Sequence, residues 1–128
     1  MEENSRRRIE SFEDLLVWQK GIRLVKELYA KTTDGKLSRE FWLRDQLRRA
    51  AISVPTNIAE GFERNSRKGY LNFLNIAKGS AGEVRSLLRV ALELGYLTQA
   101  DHDELRRSVL EVSRFLSNQM KSLRSKNP

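Results

Sequence analysis

Along this chain apolar residues recur at steps of three and four, with no strand-like alternation of any length, which is the pattern of amphipathic helices. A first stripe runs Leu15, Trp18, Ile22, Val25, Tyr29 beside a second row at Val17, Leu24 and Leu28, and two rows make a broad buried face. The segment opens at Ser11-Phe12-Glu13-Asp14, where a serine followed three residues later by an acid satisfies free N–H groups at a helix start. Thr32-Thr33-Asp34-Gly35 ends it.

The second helix is predicted from near Ser38, with the stripe Leu43, Leu47, Ala50, Val54, Ile58 and Gly61 staying in phase for about five turns. Pro55 lacks an N–H and crowds the carbonyl of Ala51, so the chain there either kinks or breaks with Ser53 capping a new helix. The unbroken phase favours the kink. Asn65-Ser66 marks a turn, and a third helix over about 67–94 carries Tyr70, Leu74, Ala77, Ala81, Val84, Leu88 and Ala91 inward until Gly95 closes it. Thr98-Gln99-Ala100-Asp101, a second capping box, opens a fourth helix with the stripe Leu105, Val109, Val112, Leu116, Met120, Leu123.

The fold expected is all-α: an up-down-up-down antiparallel four-helix bundle over 11–124, its second helix kinked at Pro55, with a flexible arm at 1–10 and a basic flexible tail at 125–128. Trp42, Ile52, Phe62, Phe73 and Leu87 fall off the stripes, more apolar surface than a lone small bundle needs to bury. Self-association would cover them and is the favoured reading; a core that is simply wide, or surface aromatics scattered singly, is the alternative.

Composition narrows the chemistry. The 128 residues suit one small domain, and with neither an apolar run of about 18 residues nor a signal-peptide core after Arg6-Arg7-Arg8, an intracellular, cytoplasmic protein away from membranes is expected. With no cysteine and one histidine, disulfides, thiolate sites and cysteine nucleophiles are excluded, and histidine-dependent zinc or triad chemistry has little room. No enzyme, metal or cofactor is expected. The 24 Lys and Arg against 17 Asp and Glu leave a net charge of +7, which favours polyanions such as nucleic acid, although a solvated surface that maintains solubility would explain it as well. The excess gathers in residues 38–68, with seven bases against four acids, and in the last fifteen residues, with four bases and no acid.

Beside the second stripe a polar row, Gln46, Arg49, Ser53, Asn57 and Glu60, recurs at helical spacing, and Glu83 stands on the third helix among Gly79, Ser80 and Gly82. Small residues let helices approach closely, so Asn57, Glu60 and Glu83 are expected to meet there, with Arg48 or Arg49 as counter-charge; both glutamates facing solvent is the alternative. His102 lies in Asp101-His102-Asp103 without the Glu-x-x-His spacing of a di-iron bundle and reads as exposed. Gly79-Ser80-Ala81-Gly82 has the glycine spacing of a nucleic-acid clamping loop but falls in mid-helix, where close packing is the better reading.

Three segments carry a resemblance: Leu15-Leu16-Val17-Trp18-Gln19-Lys20, the run from Gln46 to Gly61 with its Asn57-Ile58-Ala59-Glu60-Gly61 core, and Phe73 to Glu83 with Gly79-Ser80 and Glu83. Over roughly residues 11–97 the chain resembles the bacterial four-helix-bundle proteins encoded in intervening sequences of large-subunit ribosomal RNA genes. That resemblance implies a ring-like homopentamer. It also implies kinship with the accessory variability determinant of diversity-generating retroelements, a basic pentamer that binds nucleic acid and the element's reverse transcriptase.

Asn57, Glu60, Gly61, Ser80 and Glu83 match the family pattern, yet with Arg49 their types and spacing suit helix contacts better than ligand contacts. The candidates for nucleic-acid binding are therefore Arg44, Arg48, Arg64, Arg67 and Lys68 around the second helix and its turn, with Arg106, Arg107, Lys121, Arg124 and Lys126 on the fourth helix and tail. Five copies would carry about +35 per ring, and phosphate binding would follow from counterion release and multivalency. The function expected is a non-enzymatic RNA- or DNA-binding accessory protein of low base specificity, with a reverse transcriptase as candidate partner. A structural or protein-interaction oligomer, its charge conferring only solubility, is the alternative from another class.

Overall fold

The computed structural model describes residues 8–125. Helices α1 (Leu16–Thr32), α2 (Phe41–Glu63), α3 (Arg67–Glu93) and α4 (Gln99–Ser125) follow one another through connections at 33–40, 64–66 and 94–98. Consecutive helices pack antiparallel, α2 on α3 most extensively, and α4 returns to α1 to close the bundle. No helix among the described residues is long and apolar enough to cross a membrane.

Local chemistry sets the ends, with one displacement from expectation. The carboxylate of Asp14 accepts from the Ser11 N–H at 3.2 Å and from the Glu10 N–H at 2.9 Å, but the turn it closes is a three-residue 3-10 helix, Phe12–Asp14. Leu15 is extended (ψ 126°) and turns its side chain into the core, so α1 begins only at Leu16. Ile9 packs against that core too, so the folded unit reaches before residue 11; of the arm expected at 1–10, residues 1–7 lie outside the described ones. At the other end Ser125 is still helical, and 126–128, with Lys126, lie outside the described residues.

In α1 the second apolar row is the buried one: Val17, Leu24 and Leu28, joined by Gly21 and Thr32. Trp18, Ile22 and Val25 flank it, and Tyr29 is exposed. Thr32 tolerates burial because its hydroxyl donates to the Leu28 carbonyl at 2.8 Å. After Gly35 (φ +85°), the 3-10 turn Leu37–Arg39 buries Leu37, and α2 starts at Phe41 rather than Ser38, whose hydroxyl donates instead to the Gly35 carbonyl at 2.6 Å.

The stripe of α2 is buried throughout, and the helix runs past Pro55 without a break. Pro55 itself is buried against α1, where a Cβ on Gly21 would stand 3.3 Å from its ring. Asn65 takes the left-handed conformation (φ 64°), and Ser66 caps α3 by accepting from the Gly69 N–H at 3.0 Å. Gly95 (φ +82°) ends the α3 turn, and Thr98 caps α4 by accepting from the Asp101 N–H at 3.1 Å. The expected stripes of α3 and α4 are buried except at their outer ends, Tyr70 and Leu123, which are half-buried. Among the described residues no buried side-chain nitrogen or oxygen lacks a hydrogen-bond partner.

Candidate nucleic-acid interface

The polar row of α2 faces α3 as a short ladder. Ser53 and Ser80 share a hydrogen bond of 2.8 Å across the helices, Asn57 donates to the Ser53 carbonyl and hydroxyl at 2.8 and 2.9 Å, and Arg49 reaches Gln46 at 2.6 Å and Glu83 at 3.3 Å. Arg49 is thus the counter-charge of Glu83. Glu60 does not join it: it pairs with Arg64 one turn on, at 2.8 Å, and neither glutamate is withdrawn from water, Glu83 keeping 44% of its side chain exposed. Nor do Gly79 and Gly82 bring helices together, for a Cβ on either would meet nothing within 4 Å. The close approach is at Gly61, whose Cβ would stand 2.7 Å from that of Phe73.

Several candidate phosphate-binding residues are engaged locally. Arg48 donates to the Thr32 hydroxyl at 3.0 Å and lies over the Tyr29 ring at 4.2 Å, so it ties α2 to the end of α1. Arg44 donates to the Ser38 carbonyl and to Asp45 and lies over Phe41, while Arg64, besides its Glu60 pair, lies over Phe73. Arg67, Arg107 and Lys121 are exposed.

Helix α4 is divided lengthwise by charge. On the flank toward α1, Asp101 and Glu104 hold Lys31 at 3.1 and 3.2 Å, Glu111 holds Lys20 at 3.0 Å, and Ser108 donates to Glu27. Those hydrogen bonds and the two carboxylate charges raise the Lys31 ammonium above its ordinary range, Asp101 contributing first. The opposite flank, toward α3, carries Arg106 and Arg124, which lie eighteen residues and so about five whole turns apart on one line of the helix.

Two grooves open along this second flank, one at each end. Arg124 and Lys68 line one groove with Asn72 and Asn75, while Arg106 lines a notch of about 370 Å³ with Gly82, Arg85, Arg89 and His102. Between them Lys78 belongs to the same face of α3, since 75, 78, 82, 85 and 89 recur in steps of three and four. The structure thus unites Lys68 with Arg124 and sets Arg106 beside two arginines that sequence reasoning passed over. The signal for Arg85 and Arg89 was available: with Lys78 they line one edge of the third helix around Gly82.

His102 corrects another expectation. It is 5% exposed, not on the surface, because at three and seven residues before Leu105 and Val109 it begins the buried stripe of α4. Its Nδ1–H donates to the Asp103 carboxylate at 2.9 Å, and this bond, with a second from Gln99, holds the Asp103 carboxyl below its ordinary range. Among the described residues no three His, Cys, Asp or Glu gather where they could hold a metal ion.

The model of the family described as 23S rRNA-intervening sequence protein matches residues 13–118 of this chain. Among solved structures the chain is similar to a protein of unknown function from the S23 ribosomal protein family of Bacteroides thetaiotaomicron, with a TM-score of 0.75 and 24% identity over 83% of this chain and 99% of that one. At that identity the likeness is one of fold. No curated protein matches.

Proposed function

The chain belongs to the 23S rRNA-intervening sequence protein family, and from that premise we propose that it is a non-enzymatic, cytoplasmic accessory protein that binds RNA or DNA through phosphate contacts as a homopentamer. The observation that carries this reading is the charge division of α4. Asp101, Glu104 and Glu111 are spent on lysines of α1 and Asp103 on His102 and Gln99, which leaves Lys68, Arg85, Arg106 and Arg124 along the α3 flank. A strip of bases with few acids attracts a phosphate backbone without reading its bases. Five copies in a ring would raise the effective concentration of such strips around one strand, and a reverse transcriptase is the candidate protein partner.

A second reading draws support from the other end of the charge scale. Phe41, Trp42 and Leu94 are more than half exposed, Trp42 at 68%, and antiparallel packing gathers the start of α2 and the end of α3 at one end of the bundle. A protein-interaction oligomer would cover such residues. One experiment separates the two: light-scattering mass on a sizing column, with and without a short structured RNA, at about 50 and about 300 mM salt. A pentamer that shifts with RNA only at low salt supports nucleic-acid binding; a pentamer indifferent to RNA favours the interaction scaffold, and any other mass removes the ring.

A further inference from the structure

We infer that the notch between α3 and α4 over Gly82 is a seat for one phosphate group of a nucleic-acid strand, gripped by Arg85 and Arg106. The inference rests on the nucleic-acid reading above and adds to it a location and a ligand group. Six residues make the notch: Gly82, Arg85, Ser86 and Arg89 of α3, with His102 and Arg106 of α4. Arg89 is balanced by Glu93 at 2.7 Å and His102 is bonded to Asp103, whereas Arg85 and Arg106 make no ion pair among the described residues. Two uncompensated guanidinium groups on facing helices repel each other until an anion stands between them, and planar forks of N–H donors match phosphate oxygens in pairs.

Gly82 is the independent observation. A glycine in a helix interior is destabilising relative to alanine, and here the protein's own packing returns nothing, because a Cβ would meet no atom within 4 Å. What the missing side chain leaves is open space beside the two arginines. The notch, about 370 Å³, takes a phosphate with its flanking sugar, and any larger residue at 82 would occupy part of that space. Ser86 adds a hydroxyl donor to the lining, and His102 beside it is buried.

Free phosphate presents the same oxygens as a backbone phosphate. The strand is favoured because the basic face continues from the notch past Lys78 to the groove of Lys68 and Arg124, a course a chain of phosphates can follow and a single ion cannot use.

The test uses the full chain, a fluorescent single-stranded RNA of about twenty nucleotides followed by anisotropy, and inorganic phosphate followed by calorimetry. Two variants are compared with wild type, Gly82→Leu, which puts a side chain into the notch and leaves every charge in place, and Arg85→Gln with Arg106→Gln. Both should weaken RNA binding roughly tenfold, the loss of one charge-assisted phosphate grip, with solution mass unchanged. If Gly82→Leu alters mass or melting, the double glutamine variant alone decides. RNA binding at wild-type affinity in the double variant overturns the seat and leaves the nucleic-acid reading standing. Wild-type protein that binds phosphate in the notch but no RNA overturns the strand as ligand and the function with it.

Discussion

Gly21 of α1 and Pro55 of α2 face each other so closely that a Cβ on the glycine would lie 3.3 Å from the proline Cβ and 3.4 Å from its Cδ. The relationship gives both residues a reason. Pro55 presents a ring where other residues present a flexible side chain, and the absence of a side chain at Gly21 lets α1 settle closely against it. Gly21→Leu should therefore lose roughly 1–3 kcal/mol in urea denaturation, whereas in Gly21→Ala the gain in helix propensity, about 1 kcal/mol, nearly offsets the crowding. A leucine variant as stable as wild type would disprove the close approach.

Three other helical glycines should respond in opposite directions. Gly61→Ala drives a methyl to 2.7 Å from the Phe73 Cβ, which is fixed to its backbone and cannot retreat, so a loss of about 1–3 kcal/mol is expected. Gly79→Ala and Gly82→Ala enter open space and should gain about 0.5–1 kcal/mol. Thermal melts at fixed protein concentration read all three, and destabilisation by either of the last two would mean that another chain packs on that face of α3.

On the α2–α3 ladder the serines should matter more than the carboxylate. The Arg49–Glu83 pair is exposed on both sides, so Glu83→Leu is expected to change stability by no more than about 0.5 kcal/mol. Ser80→Ala removes the partly buried bond to Ser53 and should cost about 1 kcal/mol. The reverse order in chemical denaturation would restore a buried role for Glu83.

Burial pushes the Tyr70 hydroxyl up to about 12, against a weaker downward pull from its bond with Gln119. Because the folded protein holds this proton more tightly than the unfolded chain, the stabilisation is complete below pH 10 and is lost as pH rises toward 12. Lys31, raised by Asp101 and Glu104, acts in the same alkaline direction. Tyr70→Phe should therefore flatten part of the decline between pH 10 and 12, by up to roughly 2 kcal/mol. An unaltered slope would show that Tyr70 titrates as freely in the folded protein as in the unfolded one.

For RNA binding, charge reversal at Lys68 and Arg124 together should weaken affinity more than reversal at Arg64 and Arg67. The first pair shares one groove, while Arg64 is already held by Glu60 and by the Phe73 ring. Removing a single base–phosphate interaction should also reduce the slope of log affinity against log salt by about one. Equal weakening in the two variants would place the strand across the α2–α3 turn as well.

How much of this could be read before folding depended on the range of the interaction. Gly35, Asn65, Ser66, Gly95 and Thr98 act on residues at most five away, and each does in the structure what its position implied. Even local chemistry had a limit: Asp14 caps as expected, yet Leu15, drawn into the core, cuts that turn off from α1.

Four helices, their order, the buried stripes of α2, α3 and α4 and the caps between them are legible in the linear chain, because helical period and cap chemistry are properties of neighbouring residues. Packing in three dimensions settled the rest: which row of α1 is central, that His102 belongs to the core, that Arg48 braces Thr32 and Tyr29, and that Arg85 and Arg106 line one notch with Gly82. Periodicity reports an angle around a helix axis but not which neighbour occupies that angle. A long arginine or glutamate on the flank of a stripe reaches several partners at similar energy, and the packing of the adjacent helix selects among them.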